Sequence, residues 1–244
     1  MIALWLVLAG AWADDPPIPA DKQAALVREL DDTIRRQSAA IQDHPMSVTA
    51  YSQRGDAYFK RGRFAEAADD YDKMVDLDPT LDAAHWRRGI AYFYAGRYEK
   101  AARQFEVYRT HDDVDRENGI WRYLSQVKAF GKEKAQAGLL KYAKDDREPF
   151  PSVYQLFEGK LTPEQVLGKI EDAKLSDDEK QPRLFYATLY IGLNYAVENR
   201  PKEAAAYLRK AVANPWALGS GFGPEWMWHV GRVHYDLLTA PKKD

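Results

Sequence analysis

The chain contains no cysteine. That excludes disulfides, thiolate zinc sites and a cysteine nucleophile. It also lacks an excess of either charge: 35 Lys and Arg stand against 37 Asp and Glu, a net of −2. The two signs are interspersed, as on a solvated helical surface. A nucleic-acid surface needs a clustered basic face that displaces counterions, and none is present. No apolar run reaches the ~20 residues that a membrane-spanning helix needs. What remains is ordinary for a folded chain of 244 residues: 45% hydrophobic, 30% charged and 13% aromatic. That length suits one large domain or an extended repeat array.

The first thirteen residues differ in kind. Met1 to Ala13 carries no charge, Ile2 to Gly10 is apolar, and Ala11-Trp12-Ala13 is a small-x-small ending. This reads as a secretory signal peptide over 1–13, although its positive n-region is missing. A buried terminal helix or strand is the alternative. Residues 14–20, with Pro16, Pro17 and Pro19, read as an extended linker. A helix is expected over 21–44 from the spacing of Ala25, Leu26, Leu30, Ile34 and Ile41. It ends at His44-Pro45.

Between Val48 and Asp115 the sequence then repeats itself at a spacing of 34. Arg54-Gly55 returns as Arg88-Gly89, Tyr58 as Tyr92, Gly62-Arg63-Phe64 as Gly96-Arg97-Tyr98, Ala67-Ala68 as Ala101-Ala102, and Tyr71 as Phe105. A fixed period of 34 is that of the tetratricopeptide repeat (TPR), two antiparallel helices per unit. Gly55 and Ala67 fall where the paired helices touch, and Gly62 falls at the turn, where a positive φ is needed.

Beyond residue 115 the match decays while helical spacing persists. Ile120, Trp121, Leu124, Val127 and Phe130 mark one helix; Ala135, Leu139, Leu140 and Tyr142 mark the next. Pro149-Phe150-Pro151 interrupts the array, Tyr154 to Phe157 forms a short helix or turn, and Thr162-Pro163 opens a helix that runs to Ala173. The repeat signal returns at Gly192, Tyr195, Asn199-Arg200-Pro201, Ala204, Leu208 and Ala211. The expected divisions are therefore two clear repeats at 48–115, degenerate helical repeats at 116–182, a TPR-like repeat at 183–216 and a C-terminal capping helix at 224–240. In that last helix Trp228, Val230, Val233 and Leu237 form the expected apolar side. The fold class is all-α: a right-handed TPR-type helical solenoid with a degenerate middle and helical caps.

With the helices placed, the chain resembles the NlpI-like periplasmic TPR lipoproteins of Gram-negative bacteria. The resemblance rests on residues 84–97 (AHWRRGIAYFYAGR), Trp121-Arg122-Tyr123-Leu124, residues 156–162 (LFEGKLT), Phe185-Tyr186, residues 190–193 (YIGL) and residues 210–214 (KAVAN). It covers about Val48 to Asn214. It implies a non-enzymatic envelope adaptor, periplasmic or secreted, that docks peptidoglycan hydrolases or presents them to a protease, and that tends to form a homodimer. The family's lipidated cysteine is absent, so no membrane anchor is evident. Alternatives are a helical enzyme acting on cell-wall glycan, or a subunit of a secretion or outer-membrane assembly complex.

No motif carries chemistry. His229 and His234 lie roughly 140° apart around a helix, too far to share one metal. An EF-hand counted from Asp113 would need glycine at Asn118 and glutamate at Leu124. Ser220 lacks the glycine spacing of a nucleophile elbow and sits in a glycine-rich loop. No catalytic residue, metal site or cofactor is assigned. The candidate protein-binding surface is the concave face lined by the first helix of each pair: Ser52, Asp56, Phe59 and Lys60 from repeat one, Trp86, Ile90, Phe93 and Tyr94 from repeat two. Its aromatic side chains offer large contact area at small entropic cost. A terminal helix of the same chain could fill that groove instead. The basic clamp that some TPR proteins use for C-terminal carboxylates is not visible, since Asp56 stands where asparagine is needed.

Overall fold

Each helix of the array is set by a local signal before it is packed. In a computed structural model, which describes residues 17–144 and 146–240, twelve α-helices are found and no strand among those residues. The expected signal peptide, residues 14–16 of the linker and the 241–244 tail lie outside the described residues. The helix α1 (Ala20–Asp43) starts after Pro19, and α2 (Val48–Lys60) starts at Ser47, whose side chain accepts from the Ala50 amide. The two clear repeats are α2 with α3 (Phe64–Leu77) and α4 (Trp86–Tyr94) with α5 (Tyr98–Tyr108). The turns between partners bend at Gly62 (φ 76°) and Gly96 (φ 74°).

The repeat is structural as well as textual. A Cβ at Gly55 would lie 2.7 Å from the Tyr71 ring, and one at Gly89 would lie 2.6 Å from the Phe105 ring. The pairing 34 residues on is preserved in the polar contacts too. Arg54 grips Asp70 at 2.7 and 2.8 Å, and Arg88 reaches the equivalent Gln104 with its Nε at 2.8 Å. The close approach of the helices is what glycine permits here. Gly89→Ala is therefore expected to cost about 1–3 kcal/mol by overpacking against a fully buried ring. Gly168→Ala, mid-helix with nothing within 4 Å, should be neutral or stabilise by up to about 1 kcal/mol. Urea midpoints measure both; equal midpoints for the two variants would contradict the packing argument.

The array continues through α6 (Arg116–Phe130), α7 (Lys132–Ala137), α8 (Phe150–Phe157), α9 (Pro163–Asp172), α10 (Asp177–Val197), α11 (Pro201–Ala213) and α12 (Phe222–Thr239). Successive helices pack on one another, so the whole is the expected all-α TPR-type solenoid. Four details differ from the sequence reading. The helix expected through Tyr142 stops at Ala137, because Gly138 follows and Arg122 takes its carbonyl at 2.5 Å. Residues 138–149 instead form an irregular strap, held where Tyr154 donates to the Leu140 carbonyl and Tyr142 donates to the Asp115 carbonyl. Pro149 and Pro151 begin α8 rather than simply breaking the array, since proline is tolerated in a first turn. The division placed between 182 and 183 falls inside α10: Pro182 sits in its second turn, after a Ser176–Glu179 capping box has started the helix.

The C-terminal helix departs from a simple end cap. α12 packs on α11 but also returns to α2, across the array. Its buried side is Trp226, Met227, Trp228, His229, Val230 and Val233, while Leu237, expected inside, is exposed. Among the described residues no helix is long and apolar enough to cross a membrane.

Candidate functional site

The concave face named from the sequence is occupied along half its length by α12. Phe59 is fully buried with Trp226 stacked on it at 4.4 Å. Asp56 accepts from Tyr71 at 2.5 Å, from Arg87 at 2.6 Å and from the Trp226 indole at 3.3 Å. Ser52 accepts from Arg87, and Lys60 pairs with Glu225 at 3.6 Å. Tyr94 meets His234 Nδ1 at 2.8 Å, and Phe93 is buried against Trp121 at 5.6 Å between ring centres. Trp86 meets Trp226 edge-on at 5.0 Å and Ile90 is buried, so all eight residues are engaged within the chain. The sequence left open whether the groove is open or self-filled; here α12 fills it.

Trp86 and Ile90 also line a cavity of about 400 Å³ beside α12. The repeats supply Tyr108 of α5 and Trp121 of α6 to its wall. The cap and first turn of α6 supply Asp115, Glu117 and Asn118. The strap brings Arg147 and Glu148, α10 brings Pro182 and Tyr186, and the turn before α12 brings Trp216. Gly223, Pro224 and Met227 of α12 close one side. Phe222 lies at the lip, 57% exposed, with the Arg87 guanidinium over its ring at 5.2 Å.

A polar chain runs behind the aromatic wall. The Trp121 indole donates to the Tyr190 hydroxyl at 3.1 Å, and that hydroxyl donates to Glu117. Arg147 donates to the other Glu117 oxygen at 2.7 Å and lies 3.5 Å from Asp146. Its guanidinium also covers the Phe150 ring at 4.4 Å. Asp146 in turn accepts from the Arg116 amide at 3.0 Å, which ties the strap to the start of α6. Asp115 caps the same helix: one oxygen accepts from the Glu117 amide at 2.9 Å, the other from the Asn118 side chain at 3.0 Å. Burial, with the Glu117 charge nearby, pushes the Asp115 carboxyl up to about 7. Burial also raises Glu117, against the pull of Arg147.

The residues weighed for chemistry have structural partners. His229 is buried beside Trp228 and accepts from Arg232 at 3.4 Å, while His234 meets Tyr94. Ser220 donates to the Trp216 carbonyl at 2.6 Å. Asp112 accepts from the Val114 and Asp115 amides, an ordinary turn. No group of three or more potential ligands that could hold a metal occurs among the described residues.

Sequence reasoning reached two cavity residues and missed Tyr108, Asp115, Glu117, Trp121, Arg147, Tyr186 and Trp216 as a set. A partial signal existed. Glu117 and Trp121 are four apart on a first-of-pair helix, as are Tyr186 and Tyr190, so each pair shares a helix face. Nothing local announces Arg147, which arrives from an irregular segment.

Two comparisons with known proteins gave matches. Residues 55–96 match the TPR repeat family, so the chain contains a tetratricopeptide repeat. A solved structure of a tetratricopeptide repeat protein from Parabacteroides merdae is similar at 15% identity, with 91% of this chain and 86% of that chain covered and a TM-score of 0.48. TPR repeats build surfaces for protein–protein interaction.

Proposed function

We propose that this protein is a non-enzymatic adaptor, exported to the cell envelope, that holds a partner protein in the open part of its concave groove. The observation that carries the reading is the cavity beside α12. There Trp86, Trp121 and Trp216 converge with Tyr108 and Tyr186, next to an exposed Phe222. Clustered aromatic anchors in a concave, partly desolvated site are the usual core of a protein-binding hot spot. The apolar N-terminal run and the resemblance to envelope adaptors support export, and peptidoglycan hydrolases or a protease are the partner classes this suggests.

The acids do not favour a glycan hydrolase. Such an enzyme needs two carboxyls free to exchange protons with substrate or water. Here both Glu117 oxygens are engaged by Tyr190 and Arg147, and both Asp115 oxygens hold the first turn of α6.

The test is affinity capture from envelope extract with the wild type, Phe222→Ala and Trp86→Ala, followed by binding assays with the purified captured protein. Phe222 is an exposed side chain, so its removal should leave folding intact. A true partner should bind Phe222→Ala or Trp86→Ala at least about tenfold more weakly, the loss expected of a hot-spot aromatic. Equal binding by all three proteins would refute this location of the site.

A further inference from the structure

We infer that the cavity accepts one positively charged side chain, an arginine or lysine presented by a segment of the partner protein. The inference rests on the adaptor reading and names the chemistry that the site selects.

The lining is short of positive charge. Among the described lining residues three acids, Asp115, Glu117 and Glu148, face the cavity with one cation, Arg147. That one cation is already divided between Glu117 at 2.7 Å and Asp146 at 3.5 Å. Arg116 is not among the lining residues; its guanidinium lies over the Tyr142 ring at 5.1 Å. An entering guanidinium or ammonium would therefore meet Glu148, which has no hydrogen-bond or ion-pair partner among the described residues, beside the already engaged Glu117 and Asp115. An entering carboxylate would meet repulsion from the same acids, screened less in this concave site than in open water.

The rest of the wall suits the same group. Indole and phenol faces carry negative quadrupoles, and a cation within about 6 Å of such a ring is stabilised, most by tryptophan. Trp86, Trp121 and Trp216 supply three indoles. The alkyl stem of lysine or arginine can lie along Ile90 and Met227 while its head reaches the acids. An uncharged side chain of the same length would gain the apolar contact alone. The volume, about 400 Å³, fits one long side chain with part of its main chain, and the exposed Phe222 is placed to meet a flanking residue.

The experiment is an NMR titration of the full chain, following the tryptophan indole N–H signals. Four probes are used: the N-acetyl, N′-methyl amides of arginine, lysine, norleucine and glutamate. Arginine and lysine amides should shift the Trp86, Trp121 and Trp216 signals, with norleucine at least about tenfold weaker, as expected for a cation over aromatic faces. The glutamate amide should leave them unmoved. Asp115→Asn keeps an oxygen to cap α6, and should weaken the arginine amide about tenfold while leaving the norleucine amide unchanged. The inference is overturned if norleucine matches lysine, or if no cationic amide moves those three signals up to about 50 mM. The wild-type series decides this without any variant. A norleucine result equal to lysine would leave the adaptor reading standing, whereas loss of partner discrimination by Phe222 and Trp86 would remove that reading instead.

Discussion

Replacing Trp226 by alanine is expected to lower stability by about 3–5 kcal/mol, the range for deleting a buried tryptophan. The side chain is 1% exposed and its ring joins two parts of the chain 140 residues or more apart in sequence. It stacks on Phe59 at 4.4 Å and meets Trp86 edge-on at 5.0 Å. Its N–H reaches Asp56, which keeps Tyr71 and Arg87 when the indole is lost, so no charge is orphaned. The cost is therefore a cavity cost. For a protein of this size it corresponds to a fall in Tm of roughly 10–15 °C. Trp226→Phe, which keeps an aromatic ring over Phe59, should lose well under half as much. Thermal unfolding by circular dichroism measures both. A shift of under about 2 °C for the alanine variant would mean that α12 contributes nothing to holding the array.

Acid should destabilise the protein through two histidines that the fold keeps neutral. His85 is buried against Tyr71, accepts from the Arg88 amide at 3.2 Å, and is held down to about 3 by burial and then by Arg87 and Arg88. His229 is buried on α12 and held well below its ordinary value by burial, then by Lys60 and Arg232. Both folded values lie below the unfolded 6.5. Their contribution is thus complete above pH 6.5 and is lost as pH falls below it, because unfolding then takes up protons that the native state refuses. By pH 5 each should cost about 2 kcal/mol. His234, held down to about 4 by burial and then by Lys128, acts in the same direction. Asp115 works in the opposite sense, since its folded value lies above 3.8 and acid relieves it. Variants separate the two. His85→Asn keeps a cap acceptor and His229→Gln keeps a polar partner for Arg232. For each, the stability deficit relative to wild type should shrink by about 2 kcal/mol between pH 7 and pH 5 in urea titrations. Parallel pH dependences in wild type and variants would refute the assignment.

The repeats were legible because their physics is local and recurs. A glycine that admits an aromatic ring from the partner helix, and a glycine that turns the chain, reappear 34 residues on with the same contacts. The strap was not legible. Leu139, Leu140 and Tyr142 are apolar because they are partly buried, and such a spacing fits a helix as readily as the irregular path they take. The division placed after residue 182 falls inside α10: Pro182, in the second turn, gives up the bond its N–H would have made to the Asp178 carbonyl, and the helix runs on because the residues after it are buried.

The groove shows the same limit from another side. The aromatic richness of Trp86 to Tyr94 was plain, and so was an apolar face on the last helix. Spacing says that each face is covered; it does not say that one covers the other. The link between Trp226 and Phe59 spans more than 160 positions, and the ion pair between Arg147 and Glu117 spans 30. Only the fold brings such groups together, and the cavity is made of them.

The strap has a consequence for how the charge of the cavity could be altered. Residues 138–149 are fixed by a few outside donors acting on their backbone carbonyls, and by Asp146 gripping the start of α6. Arg147 binds Glu117 of α6 and covers Phe150 of α8, Leu139 and Tyr142 pack on the core, and the same segment delivers Arg147 and Glu148 to the cavity. That makes the strap a cassette. Its charges lie apart from the glycine-and-ring contacts of the array, so the charge of the cavity can be altered while those contacts stay as they are.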